Sequence, residues 1–222
     1  MTSTHADIYP ILQELFPKDV PTLAVPYPCG RHYAKAKVKV LIDLSNVRIS
    51  ARHLGIDLDI AILDLIMTRG RPTNAKVLAG SPNIADEMIF AMAPKLGYRT
   101  FALKARIKEG MVKERGVDDM LAYHILESAR SNITGTIALA TGDGQPSGTH
   151  NLAAGRVGFL DSAKEALSRG WRIELYSFGA NLSHNWTVLA RRYPKHLAII
   201  YLDEFAPFLN RSQPGPTVDR VT

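Results

Sequence analysis

The chain is poorest in cysteine: Cys29 is the only one among 222 residues. A lone thiol excludes an intramolecular disulfide and any zinc site built from several thiolates, and it fits a reducing compartment. No apolar run approaches the roughly 18 residues of a membrane span. The N-terminus, MTSTHADIYP, has neither the basic start nor the apolar stretch of a secretory leader. The expectation is therefore an intracellular protein, cytoplasmic or nuclear, with no membrane association. The seven histidines form no HxH or HExxH pair. GxSxG is absent, and so are GxGxxG and GxxxxGKS/T, so no serine-hydrolase elbow or phosphate-cradling glycine loop is signalled. Acids are also in the minority: 27 Lys and Arg stand against 21 Asp and Glu, a net charge of +6. That excess points mildly to an anionic partner. A composition 46% hydrophobic and 22% charged is that of an ordinary globular chain, of a length that suits one domain with appendages.

Prolines set the boundaries. Pro10, Pro17, Pro21, Pro26 and Pro28 fall in the first stretch, where fixed φ and missing donors leave room only for a short helix around Ile8–Phe16. Residues 1–36 are thus expected to form a partly irregular arm, residues 37–209 the domain, and residues 210–222 a mobile tail. Within the domain, strand-like and helix-like patterns alternate. Val38–Leu44 (VKVLIDL) reads as a buried strand followed by a loop, then Leu58–Met67 as a helix. Ala75–Ala79 is a strand, Asp86–Leu96 a helix and Arg99–Ala105 a strand. Val117–Ala129 is a helix with Val117, Leu121 and Ile125 on one stripe. Thr136–Ala140 is a strand, Phe159–Arg169 a helix and Arg172–Phe178 a strand. A helix near Trp186–Arg192 leads into a last strand, Leu197–Leu202. Strand and helix in turn predict an α/β fold, Rossmann-like, with a mostly parallel sheet and helices on both faces.

In such a sheet, ligands bind beyond the carboxyl ends of the strands. Asp43 closes the first strand and Asp143 follows the fourth, in ALATGDG. Asp118 and Asp119 open the helix after the third, at the same predicted edge. Each has a plain structural explanation: Asp43 as an acceptor for turn amides, Asp118 and Asp119 as partners of a helix N-terminus, Asp143-Gly144 as a turn pair. Together they define a carboxylate cluster, which repels itself unless a cation sits within it. Oxygen donors without His or Cys select Mg²⁺ or Mn²⁺, and such an ion in a basic protein suggests phosphoryl chemistry.

Four segments carry a resemblance: VLIDLSNV, KERGVDDMLAYHIL, ALATGDG and SRGWRIELYSFGANLS. In order and spacing they resemble the motifs of NYN domains, PIN-like metal-dependent ribonucleases, over about Lys37 to Phe208. The resemblance implies a PIN-like sheet that binds Mg²⁺ or Mn²⁺ and hydrolyses RNA phosphodiester bonds. By it, Asp43, Asp118 and Asp143 are metal-binding acids, Asp119 is an additional ligand candidate, Asn46 positions a ligand or water, and Thr141 supports the loop of Asp143. Two positions depart from the family pattern. Gln145 stands where a second acid commonly follows Gly-Asp, and His124 where the helix often carries another Asp. Asp161 is a candidate substitute or a solvated surface acid.

Other features bear on substrate. Gln145–Arg156 (QPSGTHNLAAGR) is long for a strand-to-helix connection and reads either as a flap or as a neutral insertion. A basic bank of Arg99, Lys104, Arg106, Lys108, Lys113 and Arg115 leads into the acidic helix start, and Arg106, Lys108, Lys113 and Arg115 are the candidate RNA contacts. Arg31, Lys35, Lys37 and Lys39 form a second bank, and Arg191, Arg192 and Lys195 a third, both read as solvated faces. Tyr123, Tyr176 and Phe178 look like core; Tyr98 and Trp186 fit either core or surface. His124 is read as a satisfied helix residue, with general acid as the sharper alternative. The leading expectation is a metal-dependent endoribonuclease. A weakened RNA- or protein-binding module is the second, and a metal phosphatase for small substrates the third. A homo-oligomer or protein partner is left open.

Overall fold

The computed structural model describes residues 37–69, 71–81, 86–103, 106–108, 111–113, 116–131, 133–144 and 158–211. The expectations for residues 1–36, for Gln145–Arg156 and for the tail beyond Arg211 lie outside them. Six strands form one parallel sheet: β1 (Val38–Asp43), β2 (Thr73–Gly80), β3 (Arg99–Ala102), β6 (Thr136–Ala140), β7 (Arg172–Ser177) and β8 (Leu197–Tyr201). Their spatial order is β3-β2-β1-β6-β7-β8. Between β3 and the next helix, β4 (Arg106–Lys108) and β5 (Met111–Lys113) pair antiparallel as a separate hairpin, which the apolar pattern does not reveal. The α/β, Rossmann-like architecture is as the alternation predicts.

Helices cover both faces. α1 (Leu44–His53), α2 (Ile60–Thr68), α3 (Glu87–Met92) and the terminal turn α7 (Ala206–Leu209) pack on one face, around Val40, Ile42, Leu63, Leu78 and Tyr176. α4 (Val117–Ala129), α5 (Phe159–Ser168) and α6 (His184–Arg192) pack on the other, around Leu41, Ile125, Leu139, Leu175 and Trp186. Alternating residues of the central strands feed these two layers, so β1 and β6 are buried throughout. Among the described residues no helix is long and apolar enough to cross a membrane.

Several local expectations need correction. The residues after β1 are helical, since α1 begins directly at Leu44 with Asp43 as its cap. Tyr123 is 58% exposed, because it faces away from the stripe of Val117, Leu121 and Ile125. Tyr98 and Trp186 are buried. Lys39 is no part of a solvated bank: it lies in β1, and its Nζ donates to His124 O at 2.9 Å, Glu127 Oε2 at 2.8 Å and Ser128 Oγ at 3.1 Å. Asn210 and Arg211 extend the fold by two residues, through an antiparallel bridge of Asn210 to Leu58 and a hydrogen bond from Arg211 N to Asp57 O at 2.8 Å.

Under the α2 face lies a buried ion pair. Arg71, just before β2, donates through Nη1 and Nη2 to Glu174 of β7 at 2.7 and 2.6 Å, and the Tyr176 hydroxyl donates to the same carboxylate at 3.0 Å. Burial alone would raise the Glu174 pKa. The hydrogen bonds and charge of Arg71, with smaller help from Arg69 and Tyr176, outweigh it and hold the group below the ordinary carboxylate range. Burial, followed by the Glu174 charge, pushes the Tyr176 phenol up. Because the folded carboxyl pKa is depressed, the pair stabilises fully above the unfolded value of about 4.3, and its contribution disappears as pH falls through the native value. Glu174→Gln should leave Arg71 buried beside a neutral partner and lower stability by about 3–5 kcal/mol at neutral pH. In urea unfolding the variant should also lack this acid-dependent component below about pH 4.3.

Candidate functional site

The sheet's order reverses at one place. β1 connects through α1 to one face, and β6 leads to α5 on the other, so the chain diverges where the paired strands end at Ile42 and Ala140. That divergence opens a crevice at the carboxyl edge, the usual ligand position in open α/β sheets. Asp43 and Thr141 are the next residues on the two strands.

Asp43 does three things there. It ends β1, caps α1 by accepting from Asn46 N through Oδ1 at 3.1 Å, and accepts the Thr141 hydroxyl through Oδ2 at 3.1 Å. The same hydroxyl oxygen accepts Asp143 N at 3.1 Å. Asn46, at the first turn of α1, reaches across with Oδ1 to accept Gly142 N at 2.6 Å. Two neighbouring strand ends are thus joined by a chain of side-chain bonds running Asn46–Gly142 and Asp43–Thr141–Asp143. Asp43 and Thr141 are buried, while Asn46 and Asp143 are half-buried.

A second layer holds the loop of Asp143. Ser183 N donates to Gly142 O at 2.9 Å, and Asn185 Nδ2 to Gly144 O at 2.9 Å. The fully buried indole of Trp186 donates through Nε1 to Asp143 O at 2.8 Å. Asn181 Nδ2 donates to Ser50 Oγ at 2.6 Å, and Ser50 Oγ to Asn46 O at 2.8 Å, which fastens the loop before α6 onto α1. These supports come from Ser50, Asn181, Ser183, Asn185 and Trp186. Composition and motif reading pass over them; only the Gly-Ala-Asn-Leu-Ser string after β7 signals a turn at the same sheet edge.

The other predicted acids stand differently. α4 packs against β1 and β2, and its first turn carries Asp118 and Asp119, both exposed. Asp161, in the first turn of α5, pairs with Lys164 Nζ at 3.0 Å. Among the described residues no group of three or more His, Cys, Asp or Glu side chains is close enough to hold a metal ion. Asp43 and Asp143 therefore come to one rim, and a full set of acids does not assemble among those residues. Arg106, Lys108 and Lys113 lie on the β4–β5 hairpin next to the α4 start in sequence; Arg115 is outside the described residues. His124 is buried on α4, with Nδ1 3.2 Å from Glu127 Oε2 and its ring near Phe101 and Tyr123. Its Nε2 has no hydrogen-bond partner, so the residue is half satisfied. Lys39, first, and then His124 hold the Glu127 carboxyl below its ordinary range.

Close approach makes glycine necessary in the Asp143 loop. A Cβ on Gly142 would lie 2.5 Å from Asn181 O and 3.0 Å from Asn46 Oδ1; one on Gly144 would lie 2.8 Å from Trp186 Cδ1. The first obstacle is backbone and cannot swing aside. Gly142→Ala should therefore push the loop away from α1 and cost about 1–3 kcal/mol in urea unfolding, with loss of slow amide exchange at Gly142 and Asp143.

No family model matches the chain, and no curated protein matches it. A crystal structure of a protein of unknown function from Vibrio parahaemolyticus is similar in fold, with 13% sequence identity and a TM-score of 0.53 over 77% of this chain and 96% of that one. At that identity the likeness extends to the α/β fold alone.

Proposed function

We propose that the chain is a metal-dependent endoribonuclease of the NYN, PIN-like type, using the crevice between β1 and β6. The observation that supports this reading is the pairing of Asp43 with the Thr141–Asp143 turn, which sets two carboxylates at adjoining strand ends where α/β sheets take their ligands. The donor chemistry fits a hard cation. Each carboxylate offers about four lone-pair sites, and Asp43 accepts the Asn46 amide and the Thr141 hydroxyl through different oxygens. Asp43 and Asp143 are the ligands proposed for Mg²⁺ or Mn²⁺, with Asp118 and Asp119 contributing from the start of α4. Bound there, such an ion supplies a water nucleophile at neutral pH and polarises the phosphoryl oxygens.

The chain's own residues have separate roles. Asn46 commits its side-chain oxygen to Gly142 N, which leaves its amide hydrogens to donate to a water or a phosphate oxygen. Thr141 fixes the carboxylate of Asp43 and the backbone of Asp143 at once. The RNA strand, an anion facing two carboxylates, requires counter-charge, and Arg106, Lys108, Lys113 and Arg115 are proposed to supply it. Binding that depends on such contacts weakens steeply with salt.

A second reading has its own support. With Gln145 in place of an acid, and no three-ligand group among the described residues, the crevice also suits a module that holds RNA or a protein without cutting. Purified protein incubated with labelled single-stranded RNA in Mn²⁺, Mg²⁺ or chelator separates the two. The nuclease reading expects metal-dependent cleavage and a melting temperature raised by Mn²⁺ through mass action; binding without cleavage or metal stabilisation favours the module. Asp43→Asn keeps an oxygen to cap α1, and Asn caps as well as Asp. Asp43→Asn and Asp143→Asn should therefore each reduce cleavage by about a hundredfold or more, with little change in the melt. Cleavage by the variants at the parental rate would refute the site.

A further inference from the structure

Away from the strand-end crevice, α1 lines a second concavity. Its residues fall into two sets by helical spacing. Asn46 and Ser50, four apart, serve the crevice; Arg48 and Arg52, also four apart, lie on the other side of the helix. There, with Arg211, they surround a cleft of about 270 Å³ whose apolar floor is Ile56, Leu58 and Ile89. This is slightly below the roughly 300–1,000 Å³ of pockets for drug-sized ligands, so its occupant is small.

The cationic walls are held in place. Arg48 is buried, and its Nη1 pairs with the buried carboxylate of Asp86. Arg211 donates through Nη2 to Leu58 O at 2.9 Å, and its backbone N to Asp57 O at 2.8 Å. Arg52 is exposed, on the last turn of α1. Asp57 also lines the cleft. Among the described lining residues, three guanidinium groups stand with the carboxylate of Asp57, and Arg48 is itself paired with Asp86. Guanidinium forks match phosphate oxygens in pairs.

We infer that the Arg48–Arg52–Arg211 cleft is a phosphate-binding site, separate from the carboxylate crevice and independent of any nuclease activity. It takes a phosphate group, either free or carried by a nucleotide, with the apolar floor accepting the remainder of the molecule. No divalent ion is needed, because the cations are the protein's own.

The test is isothermal titration of the full chain, in phosphate-free buffer with chelator, against inorganic phosphate and against a nucleoside monophosphate. Saturable binding that weakens about tenfold in Arg52→Ala, as loss of a charge-assisted contact requires, supports the site. Arg52 is exposed, so the melt of that variant should match the parent, and Arg211→Lys, which keeps the charge but loses the fork, should weaken binding too. Tighter binding of the nucleotide identifies it as the source of the phosphate; equal binding identifies the free anion. No saturable binding, or parental affinity in both variants, overturns the proposal and leaves Arg52 as a complement to the helix C-terminus. Asp43→Asn should bind phosphate like the parent, so failure of the nuclease reading and failure of this one are told apart.

Discussion

The structure depends on a single divergence. β1 and β6 run side by side in the middle of the sheet, and their continuations leave for opposite faces. Two chains that separate must leave unpaired backbone groups at the fork, and buried groups of that kind need partners. Here the partners are side chains. Asp43 takes Asn46 N in the first turn of α1, Asn46 takes Gly142 N, and Thr141 takes Asp143 N. Polar residues are therefore required at this fork by the fold alone, whatever ligand enters. The cation proposed for the crevice would share residues that the fold already requires.

This double duty explains what was legible in the sequence. Apolar runs such as VKVLID and TIALA declare strands buried on both faces, and the acid at the end of the first and three residues past the second marks the edge. The helix that begins at Leu44 is hidden because its apolar stripe is thin: Val47 and Ala51 alternate with Arg48 and Arg52, whose charge suggests a loop. The pairing of Arg48 with Asp86 depends on a contact 38 positions away along the chain, which no local pattern carries. The same holds for Lys39, which reads as surface charge until Glu127 and the end of α4 are folded against it. The hairpin of β4 and β5 escapes because three-residue strands leave almost no period to detect. Asp43 and Asp143 were legible as a pair; the residues that brace the Asp143 loop were not, since Ser183, Asn185 and Trp186 follow β7, some forty positions beyond it.

The two helical layers are unequal in their polar content. One contains the Arg71–Glu174–Tyr176 group, which ties the entrance of β2 to β7 beneath α2. The other is closed by large apolar side chains, among them Phe159, Trp171 and Trp186, and its buried Lys39 reaches out to a Glu127 that is exposed to solvent. Replacing either member of a buried ion pair leaves a charge without solvent, whereas an apolar layer tolerates exchange of similar volumes. The Arg71 side of the sheet is consequently the less forgiving of the two, and its geometry is set by direction as well as by fit.

The indole of Trp186 gives the carbonyl of Asp143 a fixed donor from the following strand–helix unit. An acid on one βα connection thus takes its bearing from a tryptophan on another. The Asp143 loop is braced by successive crossovers acting jointly, and its outer supports are complete only once β7 and α6 have docked. In a chain emerging from its N-terminus, the turn after β6 would form before the tryptophan that steadies it, so its backbone would stay loose until α6 packed.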